Sequence, residues 1–309
     1  MFNTRIIALL AGVFASAGMA QAHTLPRPPM YVDVIGEVRH TRVSPGDTLL
    51  DIARRHDLGQ DEILLANPAV DRWLPTAGTA ILLPHRYIIP KAKRTGLILN
   101  VPEMRLYYFP KPGPGKVPVV TTHPVSIGRM DWRTPLGNTQ VVAKQRNPAW
   151  YPPPSLKKEA AASGEALPDV VNPGPDNPLG RYAVRLAIPG YLIHGTNKPY
   201  GVGMRVTHGC VRMYPEDIET LFDVVTVGTP VQIINQPIKV GWLDGTLYLE
   251  VHPPLAEDGV KYGDIMQAAL DAISDAVSEE NTKYRVMLRD SAIKTAIEEQ
   301  NGIPVAISR

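Results

Sequence analysis

Between residues 96 and 234 the apolar and aromatic side chains fall in short runs divided by turn residues, at 96–100, 104–109, 118–127, 139–144, 182–186, 191–194 and 231–234. Runs of this length bounded by Gly, Pro and Asn read as strands, and 96–109 reads as a hairpin. Only residues 216–224 in this stretch have helical spacing, with Pro215 suited to a first helical turn. Many short strands bury their apolar faces by closing on one another, so the pattern predicts a mainly β domain of sandwich or barrel type. Residues 147–180 interrupt it with Pro152-Pro153-Pro154 and Asn172-Pro173-Gly174-Pro175. A loop this long in a compact domain is usually functional or disordered. Trp150 and Tyr151 give it groups that pack, so an ordered cover over a cleft is expected, with disorder as the alternative.

The flanks read differently. Arg5, the apolar run 6–19 and Ala20-Gln21-Ala22 have the layout of a cleaved export signal, residues 1–22. The apolar run is short of the ~20 residues a spanning helix needs, which argues against an integral membrane protein. Residues 23–30 suit a linker. A strand at 41–43, the turn Ser44-Pro45-Gly46-Asp47-Thr48, helices at 49–56 and 61–66 and a closing strand at 79–83 make a small β-α-α-β unit within 39–86. Residues 87–94 read as a connector. After Gln236 a hairpin at 242–252 turns at Asp244-Gly245, and 262–299 has helical spacing, which gives residues 237–309 a hairpin and helical character.

The net charge is only +2 and no long run of like charge occurs, so nucleic acid is not an expected partner. The chain has one cysteine, Cys210. Exported proteins usually carry cysteines in disulfide pairs, so a lone thiol is either buried and inert or kept for its reactivity. Its neighbours decide between these: His194, Gly195, Thr207, His208, Gly209 and Arg212 all lie within twenty residues. A thiol becomes a good nucleophile when a nearby imidazole takes its proton, and His194 at a strand end facing Cys210 in a turn supplies that pairing. Gly209 leaves room for a substrate carbonyl and permits unusual backbone angles. Backbone N–H groups at Gly209 and Cys210 can hold an oxyanion, and Arg212 suits a substrate carboxylate. His-Gly-Cys is cramped for two metal ligands and no fourth ligand suggests itself, so neither a metal nor an organic cofactor is expected.

With these motifs in view, the chain resembles the L,D-transpeptidases. Their YkuD domain carries a histidine, then Ser or Thr followed by His-Gly-Cys, a variable residue and Arg or Asn. Here these are His194 and Thr207-His208-Gly209-Cys210-Val211-Arg212, with Ile127-Gly128 and Thr134-Pro135-Leu136-Gly137 upstream, over residues 95–236. The unit at 39–86 resembles a LysM module through Gly46-Asp47-Thr48-Leu49, Ile52-Ala53, Asn67-Pro68, Gly78 and Leu82-Leu83-Pro84. The resemblance implies a periplasmic, carbapenem-sensitive enzyme acting on peptidoglycan tetrapeptide stems. Cys210 is then the acyl-forming nucleophile, His194 its base and Gly195 the residue whose carbonyl orients the imidazole. Thr207, His208, Gly209 and Arg212 shape the oxyanion and substrate site, and the LysM-like unit binds glycan. The acceptor stays open between another stem's amine, giving 3-3 cross-links, a lysine of an outer-membrane lipoprotein, and water, which would make an L,D-carboxypeptidase. A non-catalytic peptidoglycan-binding protein is the alternative from another class.

Overall fold

The structure, a computed structural model, describes residues 23–259, 261–279 and 286–309. The candidate export signal, residues 1–22, lies outside the described residues. The fold is mainly β. Its largest sheet has nine strands in the order His23–Pro26, Val119–Pro124, Arg105–Phe109, Gly96–Asn100, Pro230–Ile234, Gly137–Arg146, Tyr182–Leu186, Leu192–His194 and Val211–Arg212. Two neighbouring pairs are parallel, Gly96–Asn100 with Pro230–Ile234 and Leu192–His194 with Val211–Arg212.

Leu97, Leu99, Leu106, Val141, Val184, Ile193, Val211 and Ile233 meet in one core, closed by Ile218, Leu221 and Phe222. The central hairpin is buried on both faces, because Ile98, Tyr107 and Phe109 pack on its other side against Ile35, Tyr87 and Ile89. Five consecutive buried residues in each of its strands explain why the sequence there is apolar without alternation.

Six helices occur among the described residues. The first, α1 (Leu49–Arg55), begins with a reciprocal cap: the Thr48 side chain accepts from the Asp51 N–H, and Asp51 accepts from the Thr48 N–H at 2.9 Å. It leads into α2 (Gln60–Ala66), and the two pack on the paired strands Arg39–Arg42 and Ala80–Leu83. The third, α3 (Pro154–Ala162), lies in the proline-rich segment, and α4 (Pro215–Val224) closes the main core. At the C-terminal end, α5 (Ile265–Glu279) and α6 (Asp290–Glu299) cover the hairpin Ile238–Leu243/Thr246–Val251, whose turn has Asp244 and Gly245 at positive φ.

Two elements depart from the sequence reading, and a third, read as ordered, contains a helix that the reading did not place. Residues 23–26, read as linker, form an antiparallel edge strand on Val119–Pro124, where Leu25 joins an apolar cluster. Residues 86–88, read as the last residue of the small unit and the first two of the connector, pair with Val34–Gly36. Within 147–180 the chain forms α3, and Trp150 bridges to Val171, while the buried Asn177 side chain donates to the carbonyls of Pro148, Val171 and Asn172. That segment is therefore folded against the domain.

The small N-terminal unit is welded to the large one by polar groups. Arg54 makes a two-pronged contact with Glu216 at 2.8 and 3.0 Å, and the Tyr214 hydroxyl donates to the Leu58 carbonyl. Arg105, fully buried, reaches Glu62 at 2.6 Å.

Candidate active site

His194 closes the strand Leu192–His194, and Cys210 immediately precedes the strand Val211–Arg212. The two strands run parallel with Ile193 opposite Val211 and His194 opposite Arg212, and the Met213 N–H donates to the His194 carbonyl. Residues eighteen positions apart in sequence are thereby paired, which brings the end of the His194 strand and the Cys210 turn together at the edge of the sheet.

The His194 ring is buried, with Nδ1 2.6 Å from the Gly195 carbonyl. A carbonyl only accepts, so Nδ1 carries the proton and Nε2 keeps its lone pair. Burial first, and then the Arg212 charge, press the His194 pKa down to about 4, against the pull of the Gly195 carbonyl. At neutral pH the imidazole is uncharged and able to take a proton.

Cys210 is half-buried, and its thiol points to the Gly190 carbonyl at 3.6 Å. Burial raises its pKa, while the Leu192 N–H and Arg212 offset only part of that rise. The resting thiol is therefore protonated, and its ionisation depends on a base. Arg212 is itself partly buried, and burial lowers its pKa from the usual guanidinium value. Its Nε makes no hydrogen bond, and a Cβ added at Gly201 would lie 3.5 Å from its Nη1.

The turn carrying the thiol is held from several sides. Gly209 adopts φ +100°, and a Cβ there would sit 2.7 Å from the Tyr191 ring. Gly128 is equally confined, since a Cβ would meet the Trp132 carbonyl at 1.9 Å and Gly209 Cα at 3.0 Å. The Thr134 hydroxyl joins these glycines, accepting from the Gly128 N–H at 3.0 Å and donating to the Gly209 carbonyl at 2.9 Å. The Thr207 hydroxyl donates to the Cys210 carbonyl at 2.6 Å. Ser126 exchanges both backbone hydrogen bonds with Arg212, and its hydroxyl donates to the Gly201 carbonyl.

His208 reaches α3 rather than the thiol turn. Its Nε2 is 3.1 Å from Glu159 on α3, its ring packs on Trp132, and Glu159 also pairs with Arg129. Arg129 first and His208 second hold the Glu159 carboxyl below its usual range. All seven candidate residues thus lie around one turn and its neighbouring strand. Thr134, Ser126, Glu159, Trp132 and Tyr191 join them; only Thr134 stood in a motif that the sequence singled out.

Two clusters with metal-ligand spacing occur among the described residues, Asp57 with His123 and Asp217, and Glu103 with Glu250 and His252. Both lie outside this turn, and in the second the Lys239 ammonium already stands between the two carboxylates.

Comparison with known proteins gives the same region. The L,D-transpeptidase catalytic domain, YkuD, matches residues 94–233. A probable L,D-transpeptidase of Escherichia coli, YcfS, is 39% identical over 97% of this chain and 92% of its own. Another from the same organism, YbiS, is 38% identical over 99% of this chain and 100% of its own. A solved structure, L,D-transpeptidase 3 from Mycobacterium tuberculosis, is 20% identical, covering 71% of this chain and 100% of its own at a TM-score of 0.33. Matched over nearly its whole length by such relatives, the chain belongs to the L,D-transpeptidase family of enzymes.

Proposed function

We propose that Cys210 is the nucleophile of a two-step acyl transfer on peptidoglycan tetrapeptide stems, with His194 as its base. The observation that carries this reading is the His194 imidazole, neutral and with Nδ1 committed to the Gly195 carbonyl, on the strand beside the only thiol. Nε2 takes the thiol proton as Sγ attacks the carbonyl carbon of the third stem residue. The amide C–N bond breaks, and the terminal D-alanine amine leaves with that proton. An acceptor amine then attacks the thioester, gives its proton to His194, and releases the thiolate, which is reprotonated. No bond in this sequence needs a nucleotide, metal or organic cofactor. Backbone N–H groups at Gly209 and Cys210 hold the oxyanion, and Arg212 supports the turn or a substrate carboxylate.

The enzyme then works in the periplasm, with the 39–86 unit as a LysM-like module that holds glycan. The acceptor is a diamino-acid amine of a second stem or the terminal lysine of an outer-membrane lipoprotein. The domain order favours the lipoprotein, and α3 with its flanks keeps water from the thioester.

Intact mass spectrometry of the mature protein and its Cys210→Ala variant, with a tetrapeptide muropeptide and each acceptor, tests this. The expected result is an acyl adduct on the wild type alone that resolves to a conjugate. If no donor gives adduct or product, the chain is a wall-binding protein whose thiol is idle; if adducts resolve only to free tripeptide, it is an L,D-carboxypeptidase.

A further inference from the structure

The loop from Pro199 to Met204 joins the His194 strand to the Cys210 turn, and the N-terminal unit sits directly on it. The Gln60 N–H donates to the Val202 carbonyl at 2.9 Å, and the Asp61 N–H to the Gly203 carbonyl at 3.1 Å. These are two of the free N–H groups that open α2, so the helix start is capped by the catalytic loop. The backbones touch: a Cβ on Gly59 would lie 2.9 Å from Gly203 Cα, and one on Gly203 would lie 2.3 Å from both Gly59 Cα and Gln60 N. Gly203 also has φ +83°, so neither the angle nor the space admits a side chain. A glycine-on-glycine contact with paired hydrogen bonds fixes spacing more tightly than a side-chain interface, because no rotamer is left to adjust.

The loop passes this position onward. Gly201 accepts from the Ser126 hydroxyl at 2.6 Å, with the Arg212 guanidinium 3.5 Å from where its Cβ would be, and the Met204 carbonyl accepts from the Ile127 N–H. Ser126 in turn exchanges both backbone hydrogen bonds with Arg212, the residue opposite His194. We infer that the N-terminal β-α-α-β unit is a brace for the catalytic loop, with Gly59, Gln60 and Gly203 as positioning residues that set the thiol turn against His194. This is a role apart from any binding of glycan by that unit, and it rests on Cys210 and His194 as the reacting pair.

Gln60→Pro and Gly59→Ala test the brace. Proline is well tolerated at the first position of a helix, so Gln60→Pro keeps α2 while replacing the donor to Val202 with a methylene. Gly59 has an ordinary φ of −77°, so alanine there adds only the wedge against Gly203. Gly228→Ala is the control for an added methyl: nothing lies within 4 Å of the new Cβ, although a φ of +88° makes this the more strained site for alanine. The readouts are the pH profile of Cys210 alkylation by iodoacetamide and kcat and KM for a muropeptide donor. The brace predicts that Gln60→Pro and Gly59→Ala slow alkylation at neutral pH and lower kcat by about tenfold, with KM within about twofold. Gly228→Ala should leave both unchanged. Lowered melting temperatures with alkylation profiles and kcat as in the wild type would overturn it. If Gln60→Pro does not fold, Gly59→Ala carries the same comparison. A wild type that alkylates through a His194-dependent limb but turns over no donor refutes the proposed substrate and leaves the brace decided by alkylation.

Discussion

His194 Nδ1 is held 2.6 Å from the carbonyl of the next residue, Gly195, so a backbone oxygen orients the ring. Its pKa near 4 follows from burial and from the Arg212 charge. Acylation of Cys210 should therefore rise with pH through about 4 and reach a plateau by neutrality, because the imidazolium cannot accept the thiol proton. Stopped-flow acylation by a carbapenem between pH 3 and 9 checks this, and an acid limb at 6.5 or above would contradict the buried, neutral base. His194→Ala should lose at least about a hundredfold of the rate at pH 7.

Glu159 connects α3 to the residues around the thiol turn, reaching both His208 and Arg129. Its carboxyl is exposed to solvent, so the pairs add little stability. Glu159→Gln should leave thermal unfolding nearly unchanged while loosening α3 over the thioester. The ratio of hydrolysed to transferred product, read by mass spectrometry, should increase several-fold. An unchanged ratio would mean that α3 does not govern water access.

Asp57, His123 and Asp217 are all buried where the N-terminal unit meets the main domain, with His123 Nδ1 3.4 Å from Asp217. Burial raises Asp217 to about 7 from an ordinary 3.8, so the folded protein binds more protons than the unfolded chain between those values. Stability from this group is present below pH 3.8 and is lost as pH rises through 7. Asp217→Asn removes the penalty and should stabilise the protein at pH 8 by about 2 to 4 kcal/mol, and by much less at pH 5. Urea melts at both values measure it; an equal change at the two would show that Asp217 does not titrate in this range.

The strand 182–186 and helix 215–224 were legible because their turn residues and apolar spacing are local. The helix α3 was not, since none of its residues is buried and it has no apolar stripe to betray it. The edge strand His23–Pro26 was hidden for a different reason: its partner lies about a hundred residues away, and two prolines sit close by. At the site, the reactive residue types were visible as a cluster around the only cysteine. The contacts of Glu159 with His208 and of Gln60 with Val202 were not, because each joins segments whose approach only the closed fold determines.

Lys239 shows the same limit most sharply, since a lysine in a strand reads as solvated. Its side chain is instead buried, 2.9 Å from Glu103 and 2.7 Å from Glu250, and it donates to the Ile88 carbonyl. Glu250 also accepts from the Ile88 N–H and pairs with His252, so the C-terminal hairpin, the strand Arg86–Ile88 and the main sheet meet at one cation. Burial pushes the Glu103 carboxyl up, but Lys239 and then His252 outweigh it and leave the pKa below 4.5. Lys239→Met keeps the volume and removes the charge, leaving two carboxylates buried without their counterion. The expected loss is about 3–5 kcal/mol at pH 7. It should shrink as pH falls toward 4.5, because the orphaned carboxyls can then take up protons while the wild-type Glu103 resists. Adding Glu103→Gln and Glu250→Gln to Lys239→Met should restore part of the stability at neutral pH. Urea midpoints of the three proteins decide it: a Lys239→Met variant within about 1 kcal/mol of wild type at pH 7 would mean the cluster adds little to holding the C-terminal hairpin on the sheet.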